Sequence, residues 1–227
     1  CMLEGKSLRA CANEVGICLK TSFEWRHKIL AAIRSLEGGI SFSGIVEADE
    51  LLMNYSEKGR KFKNKEEYRK AKNKKHPKVA VLVVTDREGN LLFKQVGEKK
   101  VKNEQLREEL KSRLSENNLI CVKPKKEFRK GVKGLQSKKV IVNKRQIKRG
   151  IYSIKIVESK ISDFKTWLSR FHGVATKYLQ SYLMWFVIMN KYLKELIDPD
   201  IGRLLNLSSH DRWAWDKYRE IVSQRYE

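Results

Sequence analysis

The sequence contains no pair of cysteines spaced as Cys-x-x-Cys. Structural zinc sites are usually built from such closely spaced pairs, so we do not expect one within this chain. Nothing in the composition indicates an oxidising compartment, and the cysteines are expected to be reduced. The four cysteines are Cys1, Cys11, Cys18 and Cys121.

The sequence also lacks an apolar run that could cross a membrane. Its longest uncharged apolar stretch, Tyr178 to Asn190, has thirteen residues, whereas a membrane-spanning helix needs about 20. The polar N-terminal residues do not have the pattern of a signal peptide. Because the sequence starts at Cys1 and not at Met, we interpret it as a fragment of a longer chain.

Positive charge, by contrast, is abundant. Lys and Arg number 49 against 27 Asp and Glu, which gives a formal net charge of +22. The excess is concentrated between Lys123 and Lys155, where the only acid is Glu127. Such a tract indicates a polyanionic partner, and nucleic acid is the interpretation we favour over an acidic membrane surface or a merely solvated loop.

The N-terminal segment has the pattern of two helices separated by a glycine. Ser7 can cap the first helix, Gly16 interrupts the pattern, and the second helix extends to Ile33. This is the outline of a helix-turn-helix, which we place at residues 1–38 as a DNA-binding region; an ordinary helical hairpin is the alternative. The candidate DNA contacts on the second helix are Arg26, His27 and Lys28.

From residue 40 onward the pattern is that of a mixed α/β (α+β) fold. Strands are predicted at 40–49, 79–84, 91–96 and 119–122, and helices at 103–114, 162–171 and 176–196. The order of these elements is typical of an RNase H-like sheet with flanking helices. We therefore predict an RNase H-like domain at residues 41–200, followed by a C-terminal helical tail at 201–227.

Three segments of this domain are predicted to be irregular or peripheral. The insert at 55–76 contains ten basic residues and is predicted to be a mobile loop. The tract at 123–150 is predicted to be irregular, and the tail is predicted to pack back through Trp213 and Trp215. The aromatic stripe of the helix at 176–196, as well as Trp167 and Phe171, is predicted to form core.

Acidic residues collect at the end of the first predicted strand. Strand alternation places Glu47 and Asp49 on one face of the sheet and Glu50 on the other. Carboxylates at strand ends, joined by one from a later helix, can hold Mg²⁺ ions for attack at phosphorus. A surface acidic cluster without a metal is the alternative that spacing alone leaves open.

Three segments resemble insertion-sequence transposases related to the eukaryotic Merlin transposons, the ISXO-like class. The first comprises KSLRACA at 6–12 and WRHKIL at 25–30, the second is GIVEADE at 44–50, and the third is FKTWLSRFHGVATKYL at 164–179. The third segment is long and unusual, so it is the most specific. With the DREGN turn at 86–90, the resemblance extends over residues 1 to 190.

The resemblance implies a DNA transposase of the DDE type. Such enzymes have an RNase H-like fold, use Mg²⁺ or Mn²⁺ at a triad of acids, cut the ends of the element and join the freed 3′-hydroxyl to target DNA. The implied partner is double-stranded DNA, both transposon ends and target, with a homo-oligomer on the DNA and no membrane partner. The implied location is the bacterial cytoplasm.

The resemblance also implies roles for particular residues. The first acid of the triad corresponds to Asp49 and the third to Glu158, both as catalytic metal ligands. Lys165 is implied to act at the site by contacting DNA near the scissile phosphate, and Lys177 is a further candidate DNA contact. Glu47 and Glu50 are weaker candidates that would support the metal ligands.

The sequence departs from the family pattern at the second acid. That position follows the strand at 119–122 and is Lys123, 35 residues before Glu158 (158 − 123). An ammonium group repels metal ions and cannot bridge them. Asp86 is a weaker alternative for the second acid because it falls in a predicted hairpin turn. We hypothesise that this chain is an impaired transposase; the alternative is a non-enzymatic DNA-binding protein derived from a decayed one.

Two further departures concern the rest of the pattern. The family's histidine three residues after the third acid is Ile161 here. Relatives also have a zinc ribbon before the helix-turn-helix, and this sequence starts after the place where such a ribbon would be. A third interpretation of the basic tract is an RNA-binding module, which would prefer single-stranded RNA to duplex DNA. The transposase interpretation depends on whether positions 49, 123 and 158 meet in the fold; if they do not, only a basic, helical binding protein is left.

Overall fold

The computed structural model describes residues 1–142, 148–149, 151–192 and 212–223. Its helices are α1 (Leu8–Val15), α2 (Leu19–Ile33), α3 (Lys65–Asn73), α4 (Asn103–Lys111), α5 (Lys126–Lys133), α6 (Lys155–Ser169), α7 (Thr176–Tyr192) and α8 (Arg212–Ser223), with a 3-10 helix at Arg34–Gly39. Its strands are β1 (Ile45–Met53), β2 (Val79–Asp86), β3 (Leu91–Glu98), β4 (Leu119–Val122), β5 (Lys138–Ile141), β6 (Lys148–Arg149) and β7 (Tyr152–Ser153).

Five strands form a mixed sheet in the order β3-β2-β1-β4-β5. The strands β1, β2 and β3 pair antiparallel, whereas β4 pairs parallel with β1 and β5 pairs parallel with β4. The strands β6 and β7 form a separate antiparallel pair. This order and these directions confirm the predicted RNase H-like sheet.

Strand β2 lies inside the sheet because its side chains suit burial on both faces. All eight of its residues, VAVLVVTD, are buried, and β-branched side chains fit a pleated surface covered on both sides. The turn into β3 is closed by Gly89, whose φ of 93° is readily adopted only without a side chain. The Asp86 carboxylate accepts hydrogen bonds in this turn from the backbone and side-chain nitrogens of Asn90.

The two faces of the sheet are covered by different helices. On one face α6 and α7 pack on the sheet through large aromatic residues, and α2 joins them. On the other face α4 and α5 bury Leu106, Leu110, Phe128 and Val132. Apolar burial of this extent is the main stabilising term of such a fold.

The second N-terminal helix, α2, shares the first of these cores. Helix α1 ends at Gly16 in a left-handed conformation, and α2 follows after two further residues. Leu30 and Ile33 of α2 belong to the same apolar cluster as the aromatic residues of α7. The predicted pair of helices is therefore confirmed, and α2 is docked on the sheet domain.

Several boundaries differ from the sequence-based expectation. Strand β1 starts at Ile45 and continues to Met53. The insert expected to be a loop contains α3, and the tract expected to be irregular contains α5 and β5. Helix α5 was missed because dense lysines mask the two buried apolar residues that its helical spacing brings together, Phe128 and Val132.

The predicted aromatic core of α7 is confirmed, since Tyr178, Tyr182, Trp185 and Phe186 are buried. In the predicted tail, the ring of Trp215 lies 6.3 Å from that of Trp25. The side chain of Trp213 and residues 193–211 and 224–227 lie outside the described residues. None of the described helices has the length and apolar character needed to span a bilayer.

Candidate active site

Asp49 lies on β1 where its parallel neighbour β4 ends. The register pairs Ala48 with Val122, the last residue of β4, so Asp49 lies next to the residue that follows, Lys123. Alternation directs Asp49 to the face covered by α6. Its side chain is almost fully buried, at 5% exposure, and a buried carboxylate needs a cationic or hydrogen-bonding partner.

Lys123 supplies that partner and joins it to Glu158. The Nζ atom of Lys123 lies 2.5 Å from Oδ2 of Asp49 and 2.8 Å from Oε1 of Glu158. Glu158 is in the first turn of α6, within the helix and not ahead of it as expected. The three positions that the sequence analysis singled out are therefore brought together, with the ammonium group between the two carboxylates.

The charges at this site favour a protonated Lys123. Burial alone lowers the pKa of its ammonium group, but the hydrogen bonds to Asp49 and Glu158 outweigh burial and raise the pKa above its usual value. Lys125 adds a second ammonium group, 3.7 Å from Oδ1 of Asp49 and 2.6 Å from Oε1 of Glu50. Two cations thus neutralise most of the charge of three carboxylates.

Glu47 has a structural role that the sequence analysis did not assign to it. Its carboxylate is 1% exposed and accepts hydrogen bonds from the backbone N–H groups of Ile156 and Val157, at 2.9 and 3.1 Å. The hydroxyl of Ser153 donates to it at 2.8 Å, and Arg87 lies 3.3 Å away. A carboxylate at the N-terminus of a helix satisfies free N–H groups and complements the helix dipole. Glu47 therefore fixes the start of α6, which carries Glu158.

Glu50 faces the opposite side of the sheet, as alternation predicts. Its Oε2 accepts a hydrogen bond of 3.2 Å from the backbone N–H of Val101. Asp86 is also directed elsewhere, because its Oδ2 accepts from the backbone N–H of Ser43 at 3.0 Å. In this geometry the Asp86 carboxylate is held by Ser43 and by Asn90 of the hairpin turn, and it does not join Asp49.

The residues at the site do not fit a two-metal centre. Such a centre needs carboxylates that converge on the ions, and of the described residues only Asp49 and Glu158 converge, with an ammonium group in the space between them. Among the described residues, no group of three or more His, Cys, Asp or Glu side chains is arranged to hold a metal ion. One buried acceptor remains, since no described residue donates a hydrogen bond to Oδ1 of Asp49.

The two lysines expected to contact DNA have different surroundings. Lys165 is exposed on α6, seven residues after Glu158 (165 − 158). Two helical turns separate the two residues, so they lie on the same face of α6, about 10 Å apart along its axis. Lys177 is half-buried, its Nζ donates to the carbonyl of Val222 at 3.3 Å, and burial lowers its pKa.

The candidate DNA contacts of α2 are mostly buried. Arg26 is 3% and His27 is 4% exposed, because α2 packs on α7 through the face that bears them. Arg26 donates to the backbone carbonyl of Lys6 at 2.6 Å. This geometry does not present Arg26 or His27 to DNA, so that expectation is corrected. Lys28 remains partly exposed, with its Nζ 3.8 Å from the ring centre of Trp215.

Burial of His27 leads to a prediction on the pH dependence of stability. Burial, Arg26 and Lys177 hold the pKa of His27 at about 3, below its usual 6.5. The unfolded chain therefore takes up a proton that the folded chain excludes. The free energy of unfolding is highest above pH 6.5 and falls as the pH drops towards 3, by about 2 kcal/mol between pH 7 and pH 5.

Urea unfolding at pH 7 and pH 5 measures this loss. The variant His27→Gln is expected to lose much less stability than the wild type over the same interval, because the titrating group is gone. The exposed His172 offers a matched control, and His172→Asn is expected to behave as the wild type. An equal loss of stability in His27→Gln and in the wild type would show that His27 is not the group whose protonation destabilises the fold.

Comparison with known proteins agrees with this geometry. A model of the ISXO2-like transposase domain family matches residues 41–188 of the 227 residues. The matched segment starts just before β1 and ends within α7, so it contains the whole mixed sheet together with Asp49, Lys123 and Glu158. A search of curated proteins finds no match.

Proposed function

Because the chain belongs to the family of ISXO2-like transposase domains, we propose that it binds double-stranded DNA as a transposase whose cleavage and strand-transfer activity Lys123 impairs. DDE transposases are enzymes that act on DNA with divalent metal ions. In this chain the DNA-binding part of that activity is kept and the chemical part is blocked.

One observation carries the proposal: the ammonium group of Lys123 bonds both carboxylates that would hold metal ions, at 2.5 and 2.8 Å. A divalent ion entering this space would have to displace an internal cation and then lie beside it. At such distances like charges repel strongly in a partly buried site. Oδ2 of Asp49 and Oε1 of Glu158 are therefore already engaged by a cation of the chain itself.

The charge of the surface near Glu158 supports DNA binding. Lys155 and Lys165 are exposed along α6, Arg170 is exposed directly after it, and the chain has a net charge of +22. Lysines placed along a helix suit the regularly spaced phosphates of a DNA backbone, and each contact releases counterions. A DNA strand that runs along α6 would bring its phosphates past Glu158.

Replacing Lys165 tests this surface. The affinity of the wild type for a 30-base-pair duplex is expected to fall steeply as salt rises. The slope of log K against log [salt] is negative. In Lys165→Ala its magnitude is expected to fall by about 1, because one phosphate contact is lost. Fluorescence anisotropy across a salt series measures both slopes.

Lys111 supplies the matched control for this measurement. It is exposed at the end of α4, which covers the opposite face of the sheet. Lys111→Ala is expected to keep the wild-type slope. Equal slopes for Lys165→Ala, Lys111→Ala and the wild type would show that α6 does not contact DNA.

The impairment is tested by measuring binding and nicking on the same sample. The wild-type chain is incubated with terminal-repeat DNA and with Mg²⁺ or Mn²⁺. Binding without strand cleavage is the expected result. Metal-dependent nicking by the wild type that Asp49→Ala abolishes would show an active transposase and overturn the impairment. Failure to bind any duplex DNA would overturn the proposed function as a whole.

Further properties follow from the proposed function and remain predictions. A transposase joins two ends of an element, so the DNA-bound form is expected to contain at least two copies of the chain. Double-stranded DNA, as element ends and as target, is the expected partner, and the bacterial cytoplasm is the expected location. Sedimentation of the chain with and without a duplex measures the number of copies.

A further inference from the structure

Residues 54–78, which connect β1 to β2, enclose a cleft of about 540 Å³ that we call the insert cleft. This volume is within the range of pockets that bind small organic groups, such as a nucleotide. The wall of the cleft combines aromatic rings with basic side chains. The aromatic members are Tyr55, Phe62, Tyr68 and His76.

Two of these rings have no role in the core. Phe62 and Tyr68 belong to neither apolar cluster of the described residues. They contact each other edge to face with ring centres 5.4 Å apart, and Tyr68 is 50% exposed. Deeper in the cleft, Tyr55 and His76 stack at 4.4 Å. A half-exposed aromatic ring in a pocket offers a face on which a planar group can stack.

The charge of the cleft is positive. Its described lining contains five Lys or Arg side chains and one acid, Glu57. Glu57 is already paired with Arg60 at 2.7 Å, and Arg60 also lies 3.2 Å from Glu67. Lys72 and Lys78 stand exposed at the cleft. Positive charge beside an aromatic face is the combination that holds single-stranded nucleic acid.

The insert cleft is fixed to the segment that joins α6, the helix that bears Glu158, to α7. The Nζ atom of Lys58 donates to three carbonyl groups just after α6, those of Phe171, His172 and Gly173, at 2.8 to 3.1 Å. Ser56 and Thr176 also bond each other through their backbones and the Thr176 hydroxyl, at 2.8 and 2.9 Å. From Glu158 to Ser169, the last residue of α6, the helix advances about 16 Å, a distance that a few nucleotides span.

We propose that the insert cleft binds an unpaired nucleotide of DNA, with its base stacked on Tyr68 and its phosphate held by Lys72 and Lys78. The proposal rests on the proposed function, because it assumes that DNA lies along α6. It adds a preference that a duplex-binding surface lacks: affinity for a single-stranded end or an extruded base. The cleft has a wall of rings and lysines, and duplex DNA presents no free base face to it.

A fluorescent base analogue tests the stacking directly. A 12-nucleotide DNA strand with a central 2-aminopurine is titrated with the full chain, and a 30-base-pair duplex is titrated in parallel by anisotropy. The wild type is expected to quench the analogue. Tyr68→Ala is expected to bind the single strand about 5- to 100-fold more weakly with little quenching, as loss of one stacked base would give. Tyr68→Phe keeps an aromatic ring, so it is expected to match the wild type in both single-strand affinity and quenching.

Two lysines of α3 provide a matched pair. Lys72 lines the cleft, whereas Lys70 is 77% exposed on the same helix and does not line it. Lys72→Ala is expected to weaken single-strand binding several-fold and Lys70→Ala to leave it within about twofold, since only the first removes a phosphate contact at the cleft. Circular dichroism spectra identical to that of the wild type show that each variant is folded.

The outcomes separate this proposal from the proposed function. If the wild type binds the duplex but Tyr68→Ala changes single-strand affinity by no more than twofold, the cleft proposal is overturned and the proposed function stands. If neither form of DNA binds, both are overturned. The RNA strand of the same sequence could bind more tightly than the DNA strand, in a way that depends on Tyr68. That result would also overturn the cleft proposal, in favour of an RNA-binding module.

Discussion

Replacing Lys123 with aspartate is expected to raise Mg²⁺-dependent strand cleavage above that of the wild-type chain, whose cleavage we propose to be impaired. The substitution removes the ammonium group that occupies the space between Asp49 and Glu158. It also adds a carboxylate at the end of β4, where two metal ions could be bridged. Metal ions contribute several kcal/mol to such reactions, so cleavage is expected to rise by about two orders of magnitude or more.

The variant Lys123→Met separates the two effects of this substitution. Methionine keeps much of the length of the lysine side chain and removes its charge, but it gives the site no new ligand for a hard cation. We therefore expect Lys123→Met to remain inactive. The double variant with Asp49→Ala in the Lys123→Asp background is expected to lose the gained cleavage. Wild-type cleavage equal to that of Lys123→Asp would overturn the role assigned to Lys123.

Replacing Glu47 with alanine is expected to destabilise the fold by about 3–5 kcal/mol. The carboxylate is 1% exposed and satisfies two backbone N–H groups at the start of α6 and the hydroxyl of Ser153. Its removal would leave these donors buried and would leave Arg87 without its partner. Equilibrium unfolding in urea at pH 7 measures the loss.

Graded substitutions distinguish loss of the hydrogen bonds to Glu47 from simple loss of side-chain volume. Glu47→Gln keeps the size and one acceptor oxygen, so it is expected to cost less than Glu47→Ala. Ser153→Ala removes a single donor and is expected to cost about 1 kcal/mol. A loss below about 1 kcal/mol in Glu47→Ala would contradict the view that this carboxylate holds α6 in place.

The placement of the acids could be predicted from the sequence because it depends on local periodicity. Alternation along β1 alone assigns Glu47 and Asp49 to one face and Glu50 to the other, and the structure confirms it. The prediction that positions 49, 123 and 158 meet was based on the resemblance and on the order of the strands. A parallel pairing of β1 with β4 then places Lys123 next to Asp49.

What could not be predicted depends on contacts between distant parts of the chain. Helix α6 starts at Lys155 because Glu47, more than a hundred residues earlier, accepts its first N–H groups. No local cap signals that start. Similarly, Arg26 and His27 look like surface charges on an isolated α2, and only the docking of α2 on α7 buries them.

We propose that the ammonium group of Lys123 takes the place of metal ions between Asp49 and Glu158. Anomalous diffraction from crystals grown with Mn²⁺ tests it most directly, with the wild type compared with Lys123→Asp. We expect no manganese peak between the two carboxylates of the wild type and a peak there in the variant. A manganese ion bound by Asp49 in the wild type, with Lys123 turned away, would contradict the claim.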